Sequence, residues 1–263
     1  MRINRCIKSV MSGGGADLGA PAKFFKFLCN PFVSGQATRL AFTLAEVLVT
    51  LGIIGVVASL TMPALIQSQR KQVVEARLQK FYSTINQAIT MSEVYNGDKA
   101  DWVSSDTDDF FNRYLKNYLS FIKYDNKRVG TGNDYRLVYL ADGSAFLFDI
   151  YGTWDADGNQ TYKTNGGHFI FCPQSKDCQN GSDRKVWGRK QFVFAFWPNE
   201  SNPTFKYHKD RGVEPYMAHW DGDETSLYTG SDYACNEDVN NFYCTAIIQH
   251  NGWKIPKNYP YRF

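Results

Sequence analysis

The stretch that most limits what this chain can become is Ala41-Phe-Thr-Leu-Ala-Glu-Val-Leu-Val-Thr-Leu-Gly-Ile-Ile-Gly-Val-Val-Ala-Ser-Leu-Thr-Met-Pro-Ala-Leu-Ile66. No charge occurs between Glu46 and Arg70. Apolar residues cover every face of the helix this stretch would form, which suits a membrane better than one side of a soluble core. From Phe42 to Ile66 such a helix rises about 37 Å at ~1.5 Å per residue, enough for a ~30 Å hydrocarbon layer. Six basic residues (Arg2, Arg5, Lys8, Lys23, Lys26, Arg39) precede it against one acid, Asp17, so the chain's net +3 leaves −2 for residues 42–263. The positive-inside rule then keeps the N-terminus cytoplasmic and sends the rest across. A secretory signal peptide fits poorly, because the run is too long and no A-x-A site follows it. A plain single-pass anchor leaves Glu46 unexplained. A carboxylate at the centre of an apolar span costs roughly 2–3.5 kcal/mol on insertion scales, less near an end, and asks for a partner.

The run Phe42-Thr43-Leu44-Ala45-Glu46-Val47-Leu48-Val49, followed by Gly55 and Pro63, resembles the type IV pilin and pseudopilin family. The resemblance covers residues 41–93. It implies that a prepilin peptidase cuts between Ala41 and Phe42 and methylates the new amine, with residues 1–41 as a removed leader. Ala41 stands where the family usually has glycine, and the leader is long, with Met11 as a second candidate start. The implied product is a structural subunit, a minor pilin or pseudopilin, of a type IV pilus or type II secretion pseudopilus. Its partners are then other pilin subunits, the peptidase and, before assembly, the bacterial inner membrane. The head would lie outside the cytoplasm, in a periplasmic or cell-surface filament. Glu46 would meet the Phe42 amine of a neighbouring copy and set the stagger between subunits. Gly55 and Pro63 mark a place to kink or loosen the helix, while Gly55 serves equally well for close helix packing.

After Ile66 the pattern becomes one-sided. Val74, Leu78, Phe81, Tyr82, Ile85 and Ile89 recur at three- and four-residue steps, while Arg70, Lys71, Glu75, Arg77 and Lys80 fill the remainder. This divides the chain into a leader (1–41), a transmembrane or filament-core helix (42–66), its amphipathic continuation (67–95) and a globular head (96–263). Asn96-Gly97 closes the helix. A short helix is expected over residues 107–119, with Phe110, Phe111, Tyr114, Leu115 and Tyr118 as its core face. Tyr135–Ala141 and Ser144–Ile150 around Asp142-Gly143 read as a hairpin, and His168–Cys172 and Gln191–Trp197 as two more strands. The expected class is α+β and pilin-like: a long N-terminal helix packed on an antiparallel sheet of about four strands, with a disulfide-containing C-terminal region.

Four of the six cysteines, Cys172, Cys178, Cys235 and Cys244, lie in the C-terminal half without C-x-x-C spacing. In an oxidising compartment they make two disulfides. Of three connectivities, local pairing of each couple is favoured. The 235–244 loop resembles the disulfide-closed C-terminal loop of pilins.

No enzyme is expected. His168, His208, His219 and His250 lack metal spacing, and no nucleophile elbow or phosphate loop occurs; Gly130-Thr131-Gly132 reads as a turn. Asp155, Asp157 and Asn159 are a weak calcium candidate with a misplaced glycine, and Asp221, Asp223 and Glu224 are another; no other cofactor is implied. Arg184, Lys185, Arg189 and Lys190 around Trp187 could contact phosphates and stack a base. They support the alternative of a filament-tip binding module recognising DNA or a surface ligand, against the plainer reading of a solvated loop.

Overall fold

The computed structural model describes residues 42–126, 129, 134–154, 157 and 160–263. The chain divides into two compact units after Thr50, and the first contributes only residues 42–50 to the described part. Helix α1 runs over Leu44–Asn96. It ends where the sequence says it should: Gly97 takes a left-handed backbone (φ 77°) and its N–H reaches back to the Glu93 carbonyl at 3.0 Å. Only glycine adopts that conformation without steric penalty.

The amphipathic continuation buries Val74, Leu78, Phe81, Ile85 and Ile89 as the spacing predicts, and adds Ala88 and Ser92. Glu75 corrects the expectation of an exposed polar side: it is 5% exposed. The C-terminal segment returns over that flank of α1, where the Ile255 N–H donates to Glu75 Oε1 at 2.9 Å and Lys254 Nζ donates to Oε2 at 3.1 Å. A helix read alone shows no such visitor. Arg77 is likewise engaged, donating to the Pro173 carbonyl and, at 2.8 Å, to the Asp142 carbonyl.

Among the described residues the sheet has six strands rather than four, in the order β1-β2-β3-β4-β5-β6, every neighbour antiparallel. Strands β1 (Lys123–Asp125) and β6 (Glu214–Pro215) escape sequence reading because three and two residues carry no period. Strand β2 (Arg136–Tyr139) joins β3 (Ala145–Trp154) through the expected Asp142-Gly143 turn, with Gly143 at φ 81°. Strand β4 (Gln160–Cys172) starts earlier than expected, running straight through Gly166-Gly167. Those glycines look like a strand end but are required inside one. A Cβ on Gly167 would sit 2.1 Å from the Asp149 carbonyl oxygen, and one on Gly166 would sit 2.3 Å from the Trp197 ring. Strand β5 is Phe192–Phe196.

Register builds the core. Phe146, Phe171 and Phe192 pair in one cross-strand row, and Phe148, Phe169 and Phe194 in the next. All six are fully buried. The α1 ring of Phe81 seals the rows, with centroids 4.5 Å from Phe171, 5.1 Å from Phe194 and 5.3 Å from Phe146. Aromatic pairs at such distances add ≈ 0.5–1.5 kcal/mol beyond area burial.

The predicted helix over 107–119 is shorter and mixed. One α turn, α2 (Thr107–Phe110), capped by Asp106 accepting from the Asp109 N–H at 2.8 Å, widens into a π turn over Phe111–Leu115. The widening lets adjacent phenylalanines face different partners: Phe110 meets Trp102 and Phe196, while Phe111 stacks on Tyr124 at 3.9 Å. In the turn-rich C-terminal region a helix, α3 (Cys244–His250), forms despite its β-branched Thr245, Ile247 and Ile248. Burial of five of its seven residues outweighs that weak propensity. The disulfides are Cys172–Cys178 and Cys235–Cys244, and all four cysteines are buried. Ala41 and the residues before it, Gly130-Thr131-Gly132, Asp155 and Asn159 lie outside the described residues.

Candidate functional site

The first turn of α1 is built by two side chains that answer each other. The Thr43 N–H and hydroxyl both donate to Glu46 Oε2, at 2.8 and 2.9 Å, and the Glu46 N–H donates back to Thr43 Oγ1 at 3.2 Å. This is a capping box, satisfying donors that have no partner inside the helix. The T-x-x-E spacing announces it. Glu46 thus has a local occupation, and Phe42 beside it is 82% exposed.

Beyond Thr50 the helix surface is apolar and bare. Leu51, Ile53, Ile54, Val56, Leu60, Met62 and Leu65 are all more than half exposed. The hydroxyls nearby are spent internally: Ser59 donates to the Val56 carbonyl at 2.8 Å and Thr61 to the Val57 carbonyl at 3.0 Å. That removes the main cost of placing them in a medium without water. Helix α1 continues through Gly55 and Pro63, and no atom lies within 4 Å of where a Gly55 Cβ would stand. Among the described residues, therefore, nothing uses the close approach that Gly55 permits. Among the described residues α1 is the one helix long and apolar enough to cross a membrane.

The residues of the basic cluster divide between core and surface. Trp187 is 4% exposed, set edge-on against Phe242, with its indole N–H donating to Ser182 and Gln191 side-chain oxygens. It offers no ring face to a base. The guanidinium of Arg184 lies 5.7 Å from the Trp187 and Phe242 rings, and that of Arg189 lies 5.6 Å from the Tyr261 ring. Lys185 and Lys190 are exposed. The sequence pattern gave four cations and an aromatic; the fold uses the aromatic as core and lays the arginines over rings.

Of the calcium candidates, Asp157 is exposed, and its proposed partners Asp155 and Asn159 are not described. Asp221 and Asp223 serve local turns: Asp221 accepts from the Ser226 hydroxyl at 2.6 Å, and Asp223 accepts from the Thr225 N–H at 2.9 Å. No group of three metal-ligating side chains occurs among the described residues.

Two histidines are held neutral. His208 is fully buried; burial, helped by the nearby His168, pushes it down to about 3. Its Nε2 accepts from the Met217 N–H at 3.0 Å. His168 stands among the Tyr151, Trp197 and Tyr216 rings, and burial pushes it down to about 4. His208 has no exposed surface, and His168 is half-buried among its three rings.

These features describe an α+β head carried on the second half of an N-terminal helix whose first half is apolar and uncovered. Residues 64–263 match the family described as Family of unknown function (DUF6613), and the chain belongs to that family. The matched segment begins immediately after Pro63 and takes in the whole sheet and both disulfides. No curated protein and no solved structure matches the chain.

Proposed function

We propose that this chain is a structural subunit of a pilin-like filament, a minor pilin or pseudopilin, processed before Phe42 and held in the inner membrane until assembly. One observation carries the reading. The segment Leu51–Ile66 is uncharged and exposed, while the described head buries a separate apolar core of its own. Apolar surface on that scale needs a cover from outside the chain. Lipid supplies it for a stored subunit, and the same segment of other copies supplies it in a filament. Two buried disulfides suit a head that matures outside the cytoplasm. The processing site Ala41/Phe42 and the methylated amine rest on the sequence resemblance.

Glu46 carries the test. In the filament its carboxylate exchanges the Thr43 donors for the Phe42 amine of a neighbour, or accepts from both. Glu46→Leu is expected to insert into the membrane normally and to enter filaments poorly. Thr43→Ala removes the local donor, costs about 1 kcal/mol of helix capping, and leaves assembly intact. Normal filaments from Glu46→Leu would defeat the pairing, and filament loss in Thr43→Ala alone would assign Glu46 to the cap.

A further inference from the structure

A groove of about 630 Å³ opens between the outer flank of α1 and the turn that follows α3. Trp253 forms one wall. Its backbone is left-handed (φ 63°), as is that of Gly252 before it (φ 65°). A bulky residue in that conformation is strained, and such strain persists where the surroundings hold the side chain in one place. Here it sets the indole 4.9 Å, centroid to centroid, from the ring of Tyr82. The Tyr82 ring is fixed from behind, because its hydroxyl donates to the buried Glu214 carboxylate at 3.0 Å. Gln249 donates to the same carboxylate at 3.2 Å. Two aromatic rings are thus locked at the mouth of a groove by contacts that lie outside it.

The remaining walls are uncharged. Asn86 is fully committed: it donates to the Val213 carbonyl at 2.8 Å and accepts from the Val213 N–H at 2.9 Å, which pins the groove's floor. Gln79 and Thr90 are exposed, and their side chains make no hydrogen bond within the described chain. The Trp253 indole N–H is likewise without a partner there. Gln87 has spent one amide hydrogen on Ser83 and keeps its carbonyl. No Lys, Arg, Asp or Glu lines the groove.

Flat apolar rings flanked by unspent amides and hydroxyls, without charge, match one ligand chemistry well. We propose that the groove binds a neutral sugar ring of a glycan, its C–H face against the exposed parts of the Trp253 and Tyr82 rings and its hydroxyls on Gln79, Gln87 and Thr90. The rings supply area at low entropic cost, and the amides supply paired donor and acceptor atoms for vicinal hydroxyls. A phosphorylated or sulfated ligand would find no cation among the described residues that line the groove. The proposal does not rest on assembly through α1.

The test uses the full chain in lauryldimethylamine oxide, whose head group is not a sugar. Saturation-transfer NMR is recorded with cellotriose, maltotriose and chitotriose as probes. At least one is expected to receive saturation, strongest on the ring protons of a single face. Trp253→Ala should abolish it. Gln79→Ala with Gln87→Ala should weaken binding about tenfold, and because both side chains are exposed this variant keeps the proposal testable if Trp253→Ala disturbs the turn. Three results would overturn it: no transfer to any probe at roughly 10 mM, transfer that survives in both variants, or a change in self-association in the variants with sugar transfer unaltered. The last would assign the groove to a second copy of the chain.

Discussion

Two stretches of one helix, Leu51–Ile66 and Val74–Ser92, share a backbone conformation and a taste for apolar residues, yet they solve burial in opposite ways. The second finishes the task inside the chain. Its Phe81 ring packs on Phe146, Phe171 and Phe194 of the sheet, and three of its polar residues hold long-range partners: Glu75 on the 254–255 backbone and side chain, Arg77 on two carbonyls, Asn86 on both backbone groups of Val213. These contacts fix the register of helix on sheet to a single solution. Among the described residues the first stretch has no such anchors. Its hydroxyls are folded back on their own helix, and its leucines, isoleucines and valines are exposed. A surface of that kind specifies a medium or a like surface, not a particular site on the same chain.

The contrast makes its largest prediction in stability. Phe81→Ala should cost roughly 3–5 kcal/mol, because the ring joins both phenylalanine rows. Ile54→Ala, an equally apolar truncation on the same helix, should change the head's unfolding by less than ~0.5 kcal/mol in detergent. Equal losses in thermal melts would erase the distinction between the two stretches.

Next comes acid. His168 and His208 are held at about 4 and about 3 in the fold, below the ordinary imidazole value near ~6.5. Below that value the unfolded chain takes up protons that the folded head refuses. Stability is therefore full above pH ~6.5 and falls as pH drops toward the folded values, by about 2 kcal/mol for each ring at pH 5. Melts at pH 7 and pH 5 should differ by roughly 10 °C for a domain of this size. His208→Phe should flatten part of that slope. A slope unchanged in that variant would remove the buried imidazole as its source.

Smaller again is the C-terminal staple. Serine at both Cys235 and Cys244 should cost roughly 2–3 kcal/mol for a loop of this length, read as a lower denaturation midpoint. The smallest effect belongs to Glu75→Gln. It keeps an acceptor for the Ile255 N–H and loses the attraction to Lys254, whose side chain is 70% exposed, so a change of about 0.2–1 kcal/mol is expected.

Most of the architecture was legible because its signals are local and periodic. The switch from all-round to one-sided apolar residues within α1, the Asn96-Gly97 stop and the Asp142-Gly143 hairpin each depend on a few neighbouring residues. What was hidden depends on residues far apart. Glu75 looks solvent-bound until the chain's end crosses it. Trp187 looks like a platform among cations until Phe242 arrives 55 positions later. Gly166-Gly167 reads as a break, whereas the strand needs it for the approach of Asp149 and Trp197. Strands of two and three residues have no pattern to read, and α3 forms against its own propensity because burial decides it. At the candidate site, the bare apolar stretch and Glu46 were evident from composition alone. The capping box is equally local, written in the T-x-x-E spacing of Thr43 and Glu46.

The most direct test places a photo-crosslinking amino acid at Ile54 in one strain and at Ile85 in another, with the protein in its native membrane and filaments. Irradiation at position 54 is expected to give a ladder of covalent multimers whose chains begin at Phe42, and position 85 should give cross-links within a single chain. Monomeric lipid adducts alone at position 54, or chains that begin upstream of Phe42, would contradict a subunit that assembles through this helix.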